Sequence, residues 1–113
     1  MNANNNITLI GRLAQSPELK KIGESELPVL EFSIAVSVKR KGESTADFFD
    51  VVVYGKYAET MQPYLEKGKQ IAVAGRLRQE KYQVDGQNRS RVRVVAESIQ
   101  VLQPVPANED AEA

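Results

Sequence analysis

The chain has 113 residues, enough for one independently folding domain and too few for two. Fifteen Lys and Arg balance fifteen Asp and Glu, while Cys, His and Trp are absent. That excludes disulfides, thiol or imidazole catalysis and zinc-finger-like sites, while carboxylate-only metal sites and acid/base pairs survive the exclusion. At 42% apolar and 27% charged the composition is that of a globular domain able to bury a core.

In chain order, Ile7, Leu9, Gly11 and Leu13 alternate with Thr8, Ile10 and Arg12, which predicts a strand close to fully buried at its start. It ends before the Ser16-Pro17 turn signal. Leu30, Phe32, Ile34, Val36 and Val38 alternate with Glu31, Ser33, Ala35 and Ser37, a half-buried strand. Lys39 to Ala46 (KRKGESTA) reads as a long polar hairpin loop. Phe48 to Tyr54 (FFDVVVY) forms a third strand, with Phe48, Asp50, Val52 and Tyr54 on a face that is not expected to be core. Lys56 to Lys67 carries Tyr57, Ala58, Met61, Tyr64 and Leu65 at helical spacing, closed by Gly68. Pro63 inside this pattern predicts a short or broken helix.

Gln70 to Tyr82 puts Ile71, Val73, Gly75 and Leu77 on one side and Ala72, Ala74, Arg76, Arg78, Glu80 and Tyr82 on the other. Asp85-Gly86 is a hairpin signal, and the strand after it aligns Arg89, Arg91 and Arg93 on one side, with Val92 and Val94 behind. The apolar parity then switches to Ile99 and Val101, which predicts a bulge between Val95 and Ser98. Strand, strand, strand, helix, strand, strand is the order of an all-β OB-fold, a five-stranded Greek-key barrel with one short helix. A small mixed sheet packed on one helix satisfies the same periodicity. The domain is expected over residues 1–103, followed at 104–113 (PVPANEDAEA) by a short acidic disordered tail.

Zero net charge, taken whole, argues against a polyanion partner, but the charges are sorted. The tail holds three acids and no base, so residues 1–103 carry 15 basic against 12 acidic side chains. Lys69 to Arg93 holds seven basic and two acidic residues, a candidate footprint for a phosphate backbone. Aromatic and basic residues share the sides away from the apolar ones, namely Phe48, Tyr54 and Tyr82 with Arg76, Arg78, Arg89, Arg91 and Arg93. Unpaired bases stack on aromatic faces and guanidinium groups neutralise phosphates, so this pairing of types selects single strands, since a duplex hides its base faces. The plain structural alternatives are that Phe48 and Tyr54 pack on a partner subunit or a loop, and that the period-two arginines solvate a strand. Tyr57, Met61, Tyr64 and Leu65 are assigned to helix core.

Asn6 to Leu13 (NITLIGRL), Ser16 to Lys20 (SPELK), Leu30 to Ala35 (LEFSIA), Val51 to Glu59 (VVVYGKYAE), Tyr64 to Lys69 (YLEKGK) and Val73 to Tyr82 (VAGRLRQEKY) resemble, in order and spacing, the bacterial single-stranded DNA-binding protein (SSB) family. The resemblance covers roughly residues 5–102. It implies an OB-fold, sequence-tolerant binding of single-stranded DNA, and a homo-oligomer, commonly a tetramer around which the strand wraps. It further implies base stacking by Phe48, Tyr54 and Tyr82. Basic or polar DNA contacts are implied at or next to Arg12, Lys56, Lys67, Arg76, Arg78 and Arg89.

Four features depart from the family's pattern. Arg40 stands about where another stacking Trp is common, so one platform is lost or replaced by a guanidinium; Glu80 enters an otherwise basic segment; and Pro63 interrupts the helix. The sequence ends in NEDAEA instead of a long Gly- and Gln-rich tail with an acidic Pro-Phe tip, which puts tail-mediated recruitment of replication and repair proteins in doubt.

The expected function is therefore non-catalytic binding and protection of single-stranded DNA in replication, recombination and repair, with Arg12, Arg40, Lys56, Lys67, Arg76, Arg78, Arg89, Arg91 and Arg93 as phosphate and base contacts. No cofactor and no metal are expected. The alternative is a paralogue similar to the primosomal OB-fold proteins, a docking module with weak DNA binding. An enzyme would rest on scattered carboxylates such as Asp47 and Asp50, with no nucleophile or phosphate loop beside them. The amino terminus lacks a signal-peptide profile and no apolar run is long, so a cytoplasmic, nucleoid-associated location without membrane contact is expected.

Overall fold

The computed structural model describes residues 4–103, and the expected tail at 104–113 lies outside them. The elements are β1 (Ile7–Leu13), β2 (Glu18–Ile22), β3 (Leu27–Arg40), β4 (Glu43–Tyr54), helix α1 (Lys56–Met61) with a single 3-10 turn at Gln62–Tyr64, β5 (Gln70–Val84) and β6 (Gln87–Gln103). β1 pairs with β5, β5 with β6, β6 with β4, β4 with β3, and β3 returns to β1. Five strands thus close on themselves as an OB-type barrel, and closure removes the free edges that an open sheet would expose. The seam between β4 and β6 is parallel and pairs Val51 with Val94 and Val52 with Val95. The other pairings are antiparallel.

Period-two alternation fills the barrel. Leu13, Leu30, Phe32, Ile34, Val51, Val53, Ile71, Val73, Val94 and Ile99 are buried together, with Ala58 and Leu65 of the helical segment packed among them. Pro63 ends α1 as its sequence position dictates, because the chain passes into the 3-10 turn with the proline in its first positions. The parity switch in β6 is a bulge within the expected window: Ala74 pairs with Ser98 but Gly75 with Ala96, which leaves Glu97 as the extra residue. Gly75 faces this bulge, and a Cβ there would run into the carbonyl oxygen of Val95.

Several expectations are corrected. β2 was not legible; its five residues (ELKKI) pair with Leu27–Glu31 on the edge of β3 that β1 uses farther on, at Ile34 and Ala35. Lys39 to Ala46 is not a long loop. β3 and β4 continue to Arg40 and Glu43 and are joined by Lys41-Gly42, at φ 50° and 82°, the left-handed pair that a two-residue type I′ turn requires. Asp85-Gly86 makes the same turn as expected, at φ 51° and 78°. β1 is fully buried only at its end, at Gly11 and Leu13; at its start Ile7 and Leu9 are half-buried, and Ile10 in the middle is 52% exposed. Tyr64 is exposed rather than core because the 3-10 turn rotates it off the stripe that carries Leu65. Both hairpins run beyond the packed barrel: residues 41–48 and 81–92 are exposed throughout.

Candidate nucleic-acid interface

Strand register decides which side chains share the outer face. On β5 and β6, Arg76 lies opposite Val95, Arg78 opposite Arg93, Glu80 opposite Arg91 and Tyr82 opposite Arg89. Directly paired residues project to the same side, so these eight form one ladder along the arm. The parallel pair Val52–Val95 carries the same face onto β4, where Phe48, Asp50, Val52 and Tyr54 follow at period two. β3 continues it with Ala35 beside Phe48, Ser33 beside Asp50, Glu31 beside Val52 and Val29 beside Tyr54. Arg12 joins at the row of Ala35.

The aromatic candidates differ in exposure. Phe48 is 65% exposed with the small Ala35 beside it, and Tyr82 is 43% exposed, so both offer ring surface to a ligand. Tyr54 is half-buried against Val29, Val52 and Val95, a small apolar cluster outside the barrel. Val52 is fully buried there, so this part of the face is core, contrary to the sequence reading.

The basic candidates separate into three groups. Arg76, Arg78, Arg89 and Arg91 are on the shared face with accessible side chains. Among the described residues Arg76 pairs with Glu97 at 3.9 Å, and Arg89 donates to the side-chain oxygen of Gln87 at 3.4 Å. Arg12 is exposed at the row of Phe48 and donates to the carbonyl of Gly68. Arg40, Lys56 and Lys67 are exposed, but the register does not bring them to this face. Arg40 opposes Glu43 and has the opposite parity to the face residues of β3, Lys56 opens α1, and Lys67 precedes β5.

Arg93 forms the third group and departs from the expectation of a DNA contact. It is 8% exposed; Nη1 donates to Glu31 Oε2 at 2.9 Å and Nη2 to Glu80 Oε2 at 2.7 Å. With both terminal nitrogens held by carboxylates below the surface, it is a structural pin. Lys20 extends the chain of charges on one side at 3.0 Å from Glu31, and Arg91 on the other at 3.0 Å from Glu80. Hydrogen bonding from Arg93 holds both carboxyls below the ordinary carboxylate value against the opposing effect of burial, with further help from Lys20 at Glu31 and Arg91 at Glu80. Burial opposes the charge on Arg93, yet the bonds to Glu80 and Glu31 together raise its pKa.

Sequence reasoning identified Glu80 as an acid among bases but missed Glu31 and Lys20. Nothing in their spacing points to Arg93, which is 62 residues from Glu31. These charges border a polar cleft of about 270 Å³ between β2, β3, β4 and β6, whose walls hold three carboxylates (Glu18, Glu31 and Asp50) and three cations (Lys20, Arg91 and Arg93). Asp50 also accepts a hydrogen bond from Ser33 at 2.8 Å. A second cleft, about 580 Å³, lies along the β5–β6 arm beside Tyr82, Asn88 and Arg89.

The sequence model of the single-strand binding protein family matches residues 4–102. The chain belongs to that family. Among similar proteins, the single-stranded DNA-binding protein of Treponema pallidum is 38% identical over 102 residues, 87% of this chain and 57% of that protein, so this chain spans little more than half of its length. Single-stranded DNA-binding protein 3 of Clostridium acetobutylicum is 38% identical over 112 residues, covering 96% of this chain and 78% of the relative. Single-stranded DNA-binding protein 1 of Streptococcus pyogenes is 41% identical over 102 residues, covering 88% and 77%. The solved complex of Plasmodium falciparum SSB with single-stranded DNA superposes with a TM-score of 0.79 at 24% identity, covering 91% of this chain and 98% of that one. That likeness shows that the family's OB-fold is shared.

Proposed function

We propose that this family member binds single-stranded DNA without catalysis and with little sequence preference, through the outer face of β4, β5 and β6. Bases stack on Phe48 and Tyr82, with Tyr54 at the margin, and the backbone follows Arg76, Arg78, Arg89 and Arg91, with Arg12 at the far end. The observation that carries the reading is the one sheet face that holds two exposed rings, Phe48 and Tyr82, together with accessible arginines. Stacking is sequence-tolerant because every base has a π-face, and each stacked base contributes about 1–3 kcal/mol. Residues 1–103 act as the binding unit. Exposed Ile10 and Leu102 support self-association, which we assign to a homotetramer working on DNA in the cytoplasm during replication, recombination and repair.

The test is titration of a thymidine homopolymer at low salt, followed by tyrosine fluorescence, with subunit number from light scattering. The expected result is saturable binding to the single strand, much weaker binding to duplex, and a mass of four subunits. Equal affinity for duplex, or no binding to the homopolymer, overturns the reading. A second reading, a protein-docking module with weak DNA affinity, is favoured by the carboxylates that already hold Arg91 and Arg93. A stable complex with a replication protein, together with DNA binding that does not depend on oligomer length, would select it.

A further inference from the structure

Arg91 and Arg93 bind the same carboxylate but not in the same way. Arg93 is buried and held at two points. The Arg91 side chain is 51% exposed, makes one ion pair among the described residues, through Nε to Glu80 Oε1, and sets its Cζ 5.8 Å from the centroid of the Tyr82 ring. That distance is within cation–π range, so in the free protein the guanidinium lies over one of the few aromatic platforms on the face. Glu80 is only 17% exposed and is fixed from below by Arg93, so it cannot follow Arg91 away from the sheet. Arg91 is half-exposed and makes a single-point contact through Nε, so a phosphate arriving from solvent competes for its guanidinium with two terminal nitrogens, free among the described residues, to offer a bidentate contact.

We propose that Glu80 acts as an internal competitor for the DNA backbone: it parks Arg91 over Tyr82, and a phosphate that draws Arg91 away opens that ring to a base. Phosphate neutralisation and base stacking are thereby coupled at one point on the β5–β6 arm. The inference rests on the single-strand-binding reading. The carboxylate left behind takes up a cation from solution, which offsets one released from the DNA and makes the salt dependence of binding shallower than the number of arginines implies.

The experiment compares wild type, Glu80→Gln, Arg91→Ala, the double variant and Glu31→Gln. Each binds a thymidine homopolymer over a salt series, with tyrosine quenching recorded and folding checked by thermal melting. Glu80→Gln keeps an acceptor for Arg93. It is expected to bind roughly fivefold tighter, the equivalent of one surface ion pair, with a log–log salt slope steeper by up to about 0.7. The gain is expected to vanish in the Arg91→Ala background and to be smaller for Glu31→Gln, which touches Arg93 and Lys20 but not Arg91. Equal gains from Glu31→Gln and Glu80→Gln, or a gain that survives Arg91→Ala, would mean a general charge effect and overturn the proposal.

Arg91→Ala alone gives an independent check should Glu80→Gln melt early. Quenching at saturation is expected to persist, because the ring is open without the guanidinium, while the slope falls by less than about 0.7, since Glu80 already offsets part of the Arg91 contact in the wild type. Loss of the quenching overturns the inference. Failure of the wild type to bind at all overturns the single-strand reading and this inference with it, whereas wild-type binding with an indifferent Glu80→Gln overturns the inference alone.

Discussion

The closed barrel and the two hairpin arms are built from the same strands but held by different forces. In the barrel, β3 through Ile34 and β5 through Val73 bury alternate side chains completely, and apolar area removed from water stabilises them. In the arms, residues 41–48 and 81–92 are exposed on both sides. What remains is cross-strand pairing, the two type I′ turns and contacts such as Arg91 over Tyr82. The face assigned to DNA is drawn largely from the less buried part, where a ligand finds side chains not already committed to packing.

The sharpest break of this contrast is Ile34→Ala, which empties a fully buried site in the barrel and is expected to cost about 2–5 kcal/mol in chemical denaturation. A cost under 1 kcal/mol would show that the barrel is not the stabilising region. Next in size is the ladder that joins barrel to arm, read through its acid dependence. Glu31 and Glu80 have folded pKa values below the ordinary 4.5, chiefly through hydrogen bonds from Arg93. Their contribution to stability is therefore complete above about pH 4.5 and is lost as the pH falls through the lowered values. Melting temperature measured from pH 6 to pH 2.5 is expected to fall in that window, and to fall less steeply in Glu31→Gln and Glu80→Gln. A parallel pH dependence in all three proteins would remove the ladder as the cause.

The smallest expected effect on folding is Phe48→Ala in the β4 arm. It should leave stability within about 0.5 kcal/mol yet cost about 1–3 kcal/mol of affinity for the thymidine homopolymer. If Phe48→Ala unfolds the domain, the ring is packing and not platform.

Where burial dictates the pattern, the sequence was readable. Leu30 to Val38 alternates because one side faces the interior, Asp85-Gly86 marks its turn through left-handed backbone angles, and Pro63 and the parity switch near Glu97 announce a helix end and a bulge. β2 was not readable, because only Leu19 among its five residues is even half-buried and its pairing with β3 is a backbone matter. The β3–β4 arm hid for the same reason: KRKGESTA is exposed on both sides among the described residues, so neither side carries an apolar pattern. At the interface, period two placed Arg89, Arg91 and Arg93 on one side correctly. It carried no information on depth, and depth is what turns Arg93 from a DNA contact into a pin, through carboxylates contributed by two other strands.

The seam that closes the barrel also constrains how the chain reaches this structure. It comprises two residue pairs, Val51–Val94 and Val52–Val95, joining positions 43 apart in the chain. The turns at Lys41-Gly42 and Asp85-Gly86 bring together neighbours only. Loop-closure entropy predicts that the two hairpins zip before the parallel seam is made. Val51, Val52 and Val94, fully or almost fully buried at that seam, are then expected to act as a clasp, so that truncating one speeds unfolding more than it slows folding.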